Sequence, residues 1–140
     1  LLGSDHLLGH ISSNALLEPP RADAACRRLP LIEYWRSLDR LESLAIRQVL
    51  PGHGAVITDV AGLLAERRRR RDRRLADIAG FVATTPRTVW EIAQALFPNM
   101  TEVDVFLAIS EVIGHLDILK RDGVVREWRE GELLRYVGNW

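Results

Sequence analysis

Two apolar periods alternate along the chain, and each switch between them marks an element. Leu31, Tyr34 or Trp35, Leu38, Leu41 and Leu44 recur at three-to-four spacing, with Arg36, Asp39, Arg40 and Glu42 on the polar side. That spacing predicts an amphipathic helix over 31–44, opened by Pro30, whose missing N–H is harmless in a first turn. Ile46, Val49 and Leu50 then read as a short buried strand stopped by Pro51, and Val56 and Ile57 close the same strand-loop unit. Thr58 or Asp59 caps a longer helix over about 60–83. Its apolar seam is Leu64, Leu75, Ile78 and Val82. The same stripe carries Arg68 and Arg71, which must snorkel or meet carboxylates from elsewhere. Ahead of these elements, residues 1–17 read as a strand end, a loop around Asp5, and a second short strand over about 7–17, bent at Ser12-Ser13-Asn14. The stretch 18–30, with Pro19-Pro20, is a loop.

The chain changes character at Thr84-Thr85-Pro86. Thr88 caps a short helix over 89–97, with Glu91 as its capping-box partner and Ile92, Ala93, Leu96 and Phe97 as its buried face. Pro98-Asn99 ends it. Thr101 caps the next helix, through 119, with Val105, Ala108, Ile109, Val112, Leu116 and Leu119 inward and His115 beside that face, packed rather than ligating. Asp122-Gly123 marks a turn, and 124–128 and 133–137 read as a hairpin turned at Glu130-Gly131. Helices followed by a hairpin are in winged-helix order. The pattern predicts an α+β chain in three parts: 1–59, a connecting helix over 60–83, and a winged-helix-like domain over 84–140.

Composition alters this picture in two places. Nineteen basic and nineteen acidic residues cancel, so overall charge selects no partner. Arg67, Arg68, Arg69, Arg70, Arg71, Arg73 and Arg74 nevertheless form one block, which leaves the remainder net acidic. Three readings of the block stand: a solvated helix face, pairing with the preceding domain, or contact with phosphates. Cys26 is alone, which excludes an intrachain disulfide and suits a cytoplasmic location. No apolar run approaches the roughly 20 residues of a membrane span.

The candidate chemistry lies in Pro51-Gly52-His53-Gly54. Glycine on both sides of one histidine lets the backbone turn and keeps bulk from the imidazole, the commonest side-chain metal ligand. A plain turn with a surface histidine is the other reading. Upstream, Leu1-Leu2-Gly3-Ser4-Asp5-His6-Leu7-Leu8-Gly9-His10-Ile11-Ser12 puts a carboxylate just after a small-residue turn. His6 and His10 read as solvent-facing loop histidines, or as residues at the mouth of a metal cleft.

Carboxylate turn, proline-rich loop, amphipathic helix, strand and PGHG, in that order, resemble the second half of a metallo-β-lactamase superfamily hydrolase. The glyoxalase II-like and endoribonuclease-like branches are the nearest in pattern, and the stretch beyond PGHG resembles the winged-helix tail often appended there. The resemblance spans nearly the whole chain. It implies that 1–59 form the C-terminal half of an αββα sandwich, that Asp5 bridges two metal ions, expected to be zinc, and that His53 binds the second. The family usually has glycine directly before that aspartate, where Ser4 stands here. On the long helix it often has His-x-x-x-Arg followed four residues later by Ile; here Arg70, Arg74 and Ile78 occupy those positions. The family's first metal cluster, His-x-His-x-Asp-His, is absent, and the chain opens without Met inside the Asp5 motif. A C-terminal piece of a longer protein is therefore expected, not competent on its own.

The resemblance implies a parent enzyme, a metal-dependent hydrolase of a thioester, ester or phosphodiester, with a small molecule or RNA as substrate. The contrasting expectation is an interaction module, for dimerisation through the C-terminal domain or for RNA docking. Against RNA, the helix in the recognition position offers Glu102, Asp104, Glu111 and Asp117, with Lys120 and Arg121 only at its end. Arg126, Arg129 and Arg135 on the hairpin are the remaining basic positions. Half a sandwich also leaves an apolar face, so Leu41, Leu44, Val49 and Ile57 are expected to need a cover.

Overall fold

A computed structural model describes residues 1–13, 15–18 and 26–139. Its elements are β1 (Leu2–Ser4), α1 (Pro30–Glu42), β2 (Leu50–Pro51), α2 (Val60–Phe81), α3 (Val89–Leu96), a 3-10 turn (Glu102–Asp104), α4 (Val105–Arg121), β3 (Val125–Glu130) and β4 (Leu133–Gly138). Of the loop expected over 18–30, residues 19–25 lie outside the described residues.

The helix α2 organises the rest. Asp59 caps it by accepting the Gly62 N–H at 2.9 Å. At 22 residues and about 1.5 Å per residue it is roughly 33 Å long, enough to serve two cores. Its first turns bring Val60, Leu63 and Leu64 to Leu7, Leu38, Val49 and Ile57. Its last turn brings Ile78, with Val82 just beyond, to Ile92, Ala93, Val112, Leu116, Val125 and Tyr136. Around that second core, Thr88 and Glu91 form the expected capping box at the start of α3. β3 and β4 pair antiparallel, and Arg87 adds a short third rung by exchanging both backbone hydrogen bonds with Tyr136, at 3.0 and 2.8 Å.

The first core differs from expectation in three ways. No strand forms over 7–17 among the described residues. Leu7 and Leu8 are both buried, whereas adjacent strand residues face opposite ways, and the backbone carbonyls here bond to side chains instead of a ladder. The strand expected at Ile46 to Leu50 shrinks to Leu50–Pro51, parallel to β1, plus one antiparallel bridge between Val49 and Ile57. Val49 is fully buried, but Leu50 faces outward and Leu44 is exposed, so only part of the expected apolar set is covered. Finally, the arginine on the seam of α2 is Arg67, three residues after Leu64 and four after Leu63, and not Arg68 or Arg71. Arg67 is 4% exposed and donates to the carbonyls of Leu8 and Ile11 at 2.9 and 2.7 Å. Arg68 turns to α1, where Asp39 and Glu42 accept from it at 2.8 and 2.7 Å.

The helix α4 joins the two halves. Leu31 packs so closely on Gly114 that a β-carbon there would lie 2.9 Å from it. Arg27 donates to both carboxylate oxygens of the buried Asp117, at 2.6 and 2.8 Å, and Arg74 meets Glu111 at 2.8 Å. Two of the four acids noted on the helix in the recognition position are thus turned to arginines of the preceding half. The later helix starts after a 3-10 turn, since Thr101 and Asp104 close a capping box of their own.

Candidate functional site

Because β1 and β2 run parallel and adjacent, their carboxyl ends fall on the same edge, and the loops beyond those ends meet. The Leu50 N–H bonds the Leu1 carbonyl at 2.9 Å and the Gly52 N–H bonds the Ser4 carbonyl at 2.8 Å. Asp5 follows one strand end and His53 the other. His53 Nε2 stands 3.5 Å from Asp5 Oδ1, a contact distance rather than a tight hydrogen bond. Both side chains are open, 73% and 67% exposed respectively.

Glycine makes this approach possible. A β-carbon on Gly52 would lie 2.5 Å from Asp5 Oδ1, so any side chain there would displace the carboxylate. Gly54 adopts φ +84°, a left-handed conformation, and a β-carbon on it would meet the His10 ring at 3.2 Å. His10 is exposed and lies against the PGHG loop. On the other loop, Ser4 is the only described non-glycine residue with positive φ, at +44°. A left-handed backbone before Asp5 explains why glycine suits the position, and Ser4 holds it under strain.

The Asp5 loop is braced from behind by side chains distant in sequence. The Ser13 hydroxyl donates to the Asp5 carbonyl, and the Tyr34 hydroxyl donates to the His6 carbonyl at 3.3 Å. Burial raises the Tyr34 pKa, which keeps that proton in place. His6 is half-buried and edge-on to the Tyr34 ring, with 5.1 Å between centroids, and its Nε2 has no partner among the described residues. Ser13, Tyr34 and Arg67 carry no spacing signal, since their partners are 7 to 59 positions away.

Among the described residues no group of three or more His, Cys, Asp or Glu side chains is placed to hold a metal ion. Asp5 and His53 are two donors of a set and not a whole one. His115 is far from this pair in role: it is buried on α4, with Nδ1 2.8 Å from the Glu111 carbonyl. Burial pushes its pKa down, against the opposing pull of Glu111. Cys26 is exposed and unpaired.

No protein-family profile matches the chain. A Bacillus subtilis (strain 168) protein described as the probable metallo-hydrolase YqjP is 38% identical over 136 residues, covering 97% of this chain and 42% of that protein. The crystal structure of a metallo-β-lactamase family protein from Thermus thermophilus matches with a TM-score of 0.77 at 32% identity, over 98% of this chain and 41% of that one. This chain is related to metallo-β-lactamase family proteins. A β-lactamase domain protein from Burkholderia ambifaria matches with a TM-score of 0.83 at 27% identity, over 98% of this chain and 40% of that one. The chain thus spans about two fifths of the length of the family members it resembles, and its mixed α/β fold follows theirs over that part. No helix among the described residues is long and apolar enough to cross a membrane.

Proposed function

We propose that this chain is the C-terminal portion of a metallo-β-lactamase-fold hydrolase that works with two zinc ions and ends in a winged-helix domain. One observation carries the reading: the 3.5 Å approach of His53 Nε2 to Asp5 Oδ1, across two loops that glycine opens. Ligands of one tetrahedral zinc, each about 2.0–2.1 Å from the ion, stand about 3.3 Å apart. A carboxylate oxygen and an imidazole nitrogen at this separation fit two corners of one coordination shell. The remaining corners would come from residues outside this chain, so the fragment alone is expected to hold metal weakly and to hydrolyse little.

When bound, the ions would polarise the scissile group and make a water easier to ionise. The chain's own residues hold the geometry for that. Ser13 and Tyr34 fix the carbonyls of Asp5 and His6, Arg67 fixes those of Leu8 and Ile11, and Gly52 leaves room for the Asp5 carboxylate. Outward-facing Leu2 and Leu50 on β1 and β2, 82% and 41% exposed, support further sheet against these strands. The Arg87 rung beside β4 supports the winged-helix reading once α2 is counted as its first helix, since that fold places a short strand between its first two helices, here α2 and α3. The reading takes a thioester, ester or phosphodiester as substrate, in a small molecule or RNA, and a cytoplasmic location.

The test is bound zinc and hydrolysis in the full-length protein. Asp5→Ala and His53→Ala should each lose zinc and activity together; unchanged zinc content in both variants overturns the reading. Dimerisation through 84–140 is the second reading, favoured by Val103 and Phe106, which stand 86% and 54% exposed where α4 begins. A monomer by sedimentation would remove it.

A further inference from the structure

A cavity of about 280 Å³ opens between α1, α2 and α4. Its wall carries Arg67, Arg70, Arg71 and Arg74 from α2, Trp35 from α1 and Glu111 from α4. The four arginines occupy positions i, i+3, i+4 and i+7, which is one face of a helix. None is idle in holding its place. Arg67 is anchored on two carbonyls, with no carboxylate partner among the described residues. Arg71 lies over the Trp35 ring, 4.6 Å from its centre, and Arg74 is held between Glu111 and the Phe97 ring. Arg70 pairs with Glu66 at 2.5 Å and Arg71 with Asp72 at 2.8 Å, but neither of those acids lines the cavity.

The hydroxyl protons of Ser13 and Tyr34, in the same wall, are already given to the Asp5 and His6 carbonyls, so four guanidinium groups facing one carboxylate set its character. Such a wall is rich in donors and poor in acceptors, the complement of an oxyanion. Crowding shows at Arg67, whose pKa is lowered by burial and then by the neighbouring Arg70. An anion in the cavity would relieve it. We propose that this cavity binds the phosphate group of a small molecule. A phosphate gathers its charge and three acceptor oxygens on one centre, where a dicarboxylate such as malonate spreads them over two, and the volume leaves room for a small organic group beside the phosphate. A nucleic-acid surface would instead draw on the exposed Arg69 and Arg73, which lie outside the cavity. The site goes beyond the metal reading and stands apart from it, because neither Asp5 nor His53 lines it. The two still adjoin, since Ser13 and Tyr34 both line the cavity and hold the Asp5 loop.

The experiment is calorimetric titration of the full-length protein, stripped of metal by a chelator, at fixed ionic strength with inorganic phosphate, glycerol phosphate, malonate and a short single-stranded RNA. One-to-one binding of glycerol phosphate is expected, with malonate weaker by about tenfold or more. The double variant R70Q/R71Q should weaken glycerol phosphate by about tenfold or more, while R69Q/R73Q, with the same loss of charge outside the cavity, changes it less than about twofold. E111Q removes the one lining carboxylate and should tighten binding about threefold. No saturable phosphate binding, equal affinity for malonate, equal weakening by both arginine pairs, or RNA binding that depends on Arg69 and Arg73 while glycerol phosphate fails, would each overturn the site. Should R70Q/R71Q lose its circular dichroism, E111Q decides alone: unchanged or weaker binding overturns the proposal.

Discussion

At the start of α2, the core of Leu7, Leu38, Val49, Ile57, Val60, Leu63 and Leu64 is assembled from segments far apart in the chain, around strands of three and two residues. At its end, the core of Ile78, Ile92, Val112, Leu116 and Tyr136 is built from consecutive helices and a six-residue hairpin ladder. The second closes largely through neighbours in sequence, with its own cap and turn. The first has too little sheet to satisfy its backbone, and Arg67, Ser13 and Tyr34 take over the carbonyls that a ladder would have bonded. One end of the molecule therefore rests on apolar packing and the other on a few polar side chains reaching across it. Asp5 belongs to the latter, so its position depends on hydrogen bonds as much as on burial.

That contrast has consequences for mutation. Leu116→Ala, at a residue 1% exposed in the closed core, should cost about 3–5 kcal/mol in urea denaturation. Leu38→Ala, equally buried but in the looser core, should cost about 2–3 kcal/mol, because a partly open site collapses more easily. Equal losses would mean that the two cores do not differ in closure. Arg67→Met should cost about 2–3 kcal/mol by leaving the Leu8 and Ile11 carbonyls without a donor. Hydrogen exchange should show the loosening at residues 1–13, and faster exchange throughout β3 and β4 would contradict the division.

Where the halves meet, His115 links stability to pH. Its pKa is depressed below the ordinary 6.5, chiefly by burial, with Arg74 and Arg71 adding to the depression and Glu111 opposing it. Well above pH 6.5 the ring is neutral in both folded and unfolded chains. As pH falls below that value, the unfolded chain takes up a proton that the folded chain refuses, so stability declines until the folded pKa is passed. His115→Gln should flatten the decline. The same slope in both proteins would move the acid sensitivity to other groups, such as Glu91 and Asp104, whose pKa values their caps lower. The smallest effect belongs to Ser4→Gly, which removes left-handed strain before Asp5 and should stabilise by about 0.5–1 kcal/mol. A loss of melting temperature in that variant would show that φ +44° is not strained.

Much of the helical architecture could be read directly from the residues. The helices expected over 31–44 and 60–83 form as Pro30–Glu42 and Val60–Phe81, and Thr88 and Glu91 cap α3 as their spacing implies. Such features rest on apolar period and capping, which involve residues within about four positions of one another. The hairpin was legible for the same reason. What the residues could not reveal is which of seven clustered arginines turns inward, why Leu7 and Leu8 are both buried, or that Glu111 and Asp117 face arginines and not solvent. Those outcomes turn on partners up to 90 positions away. Contacts between elements distant in the chain set them, and docking of that kind leaves no local period behind. The nearness of Asp5 and His53 is of this second kind too: family resemblance suggested it, but two parallel strand ends and a glycine too small to obstruct a carboxylate bring it about.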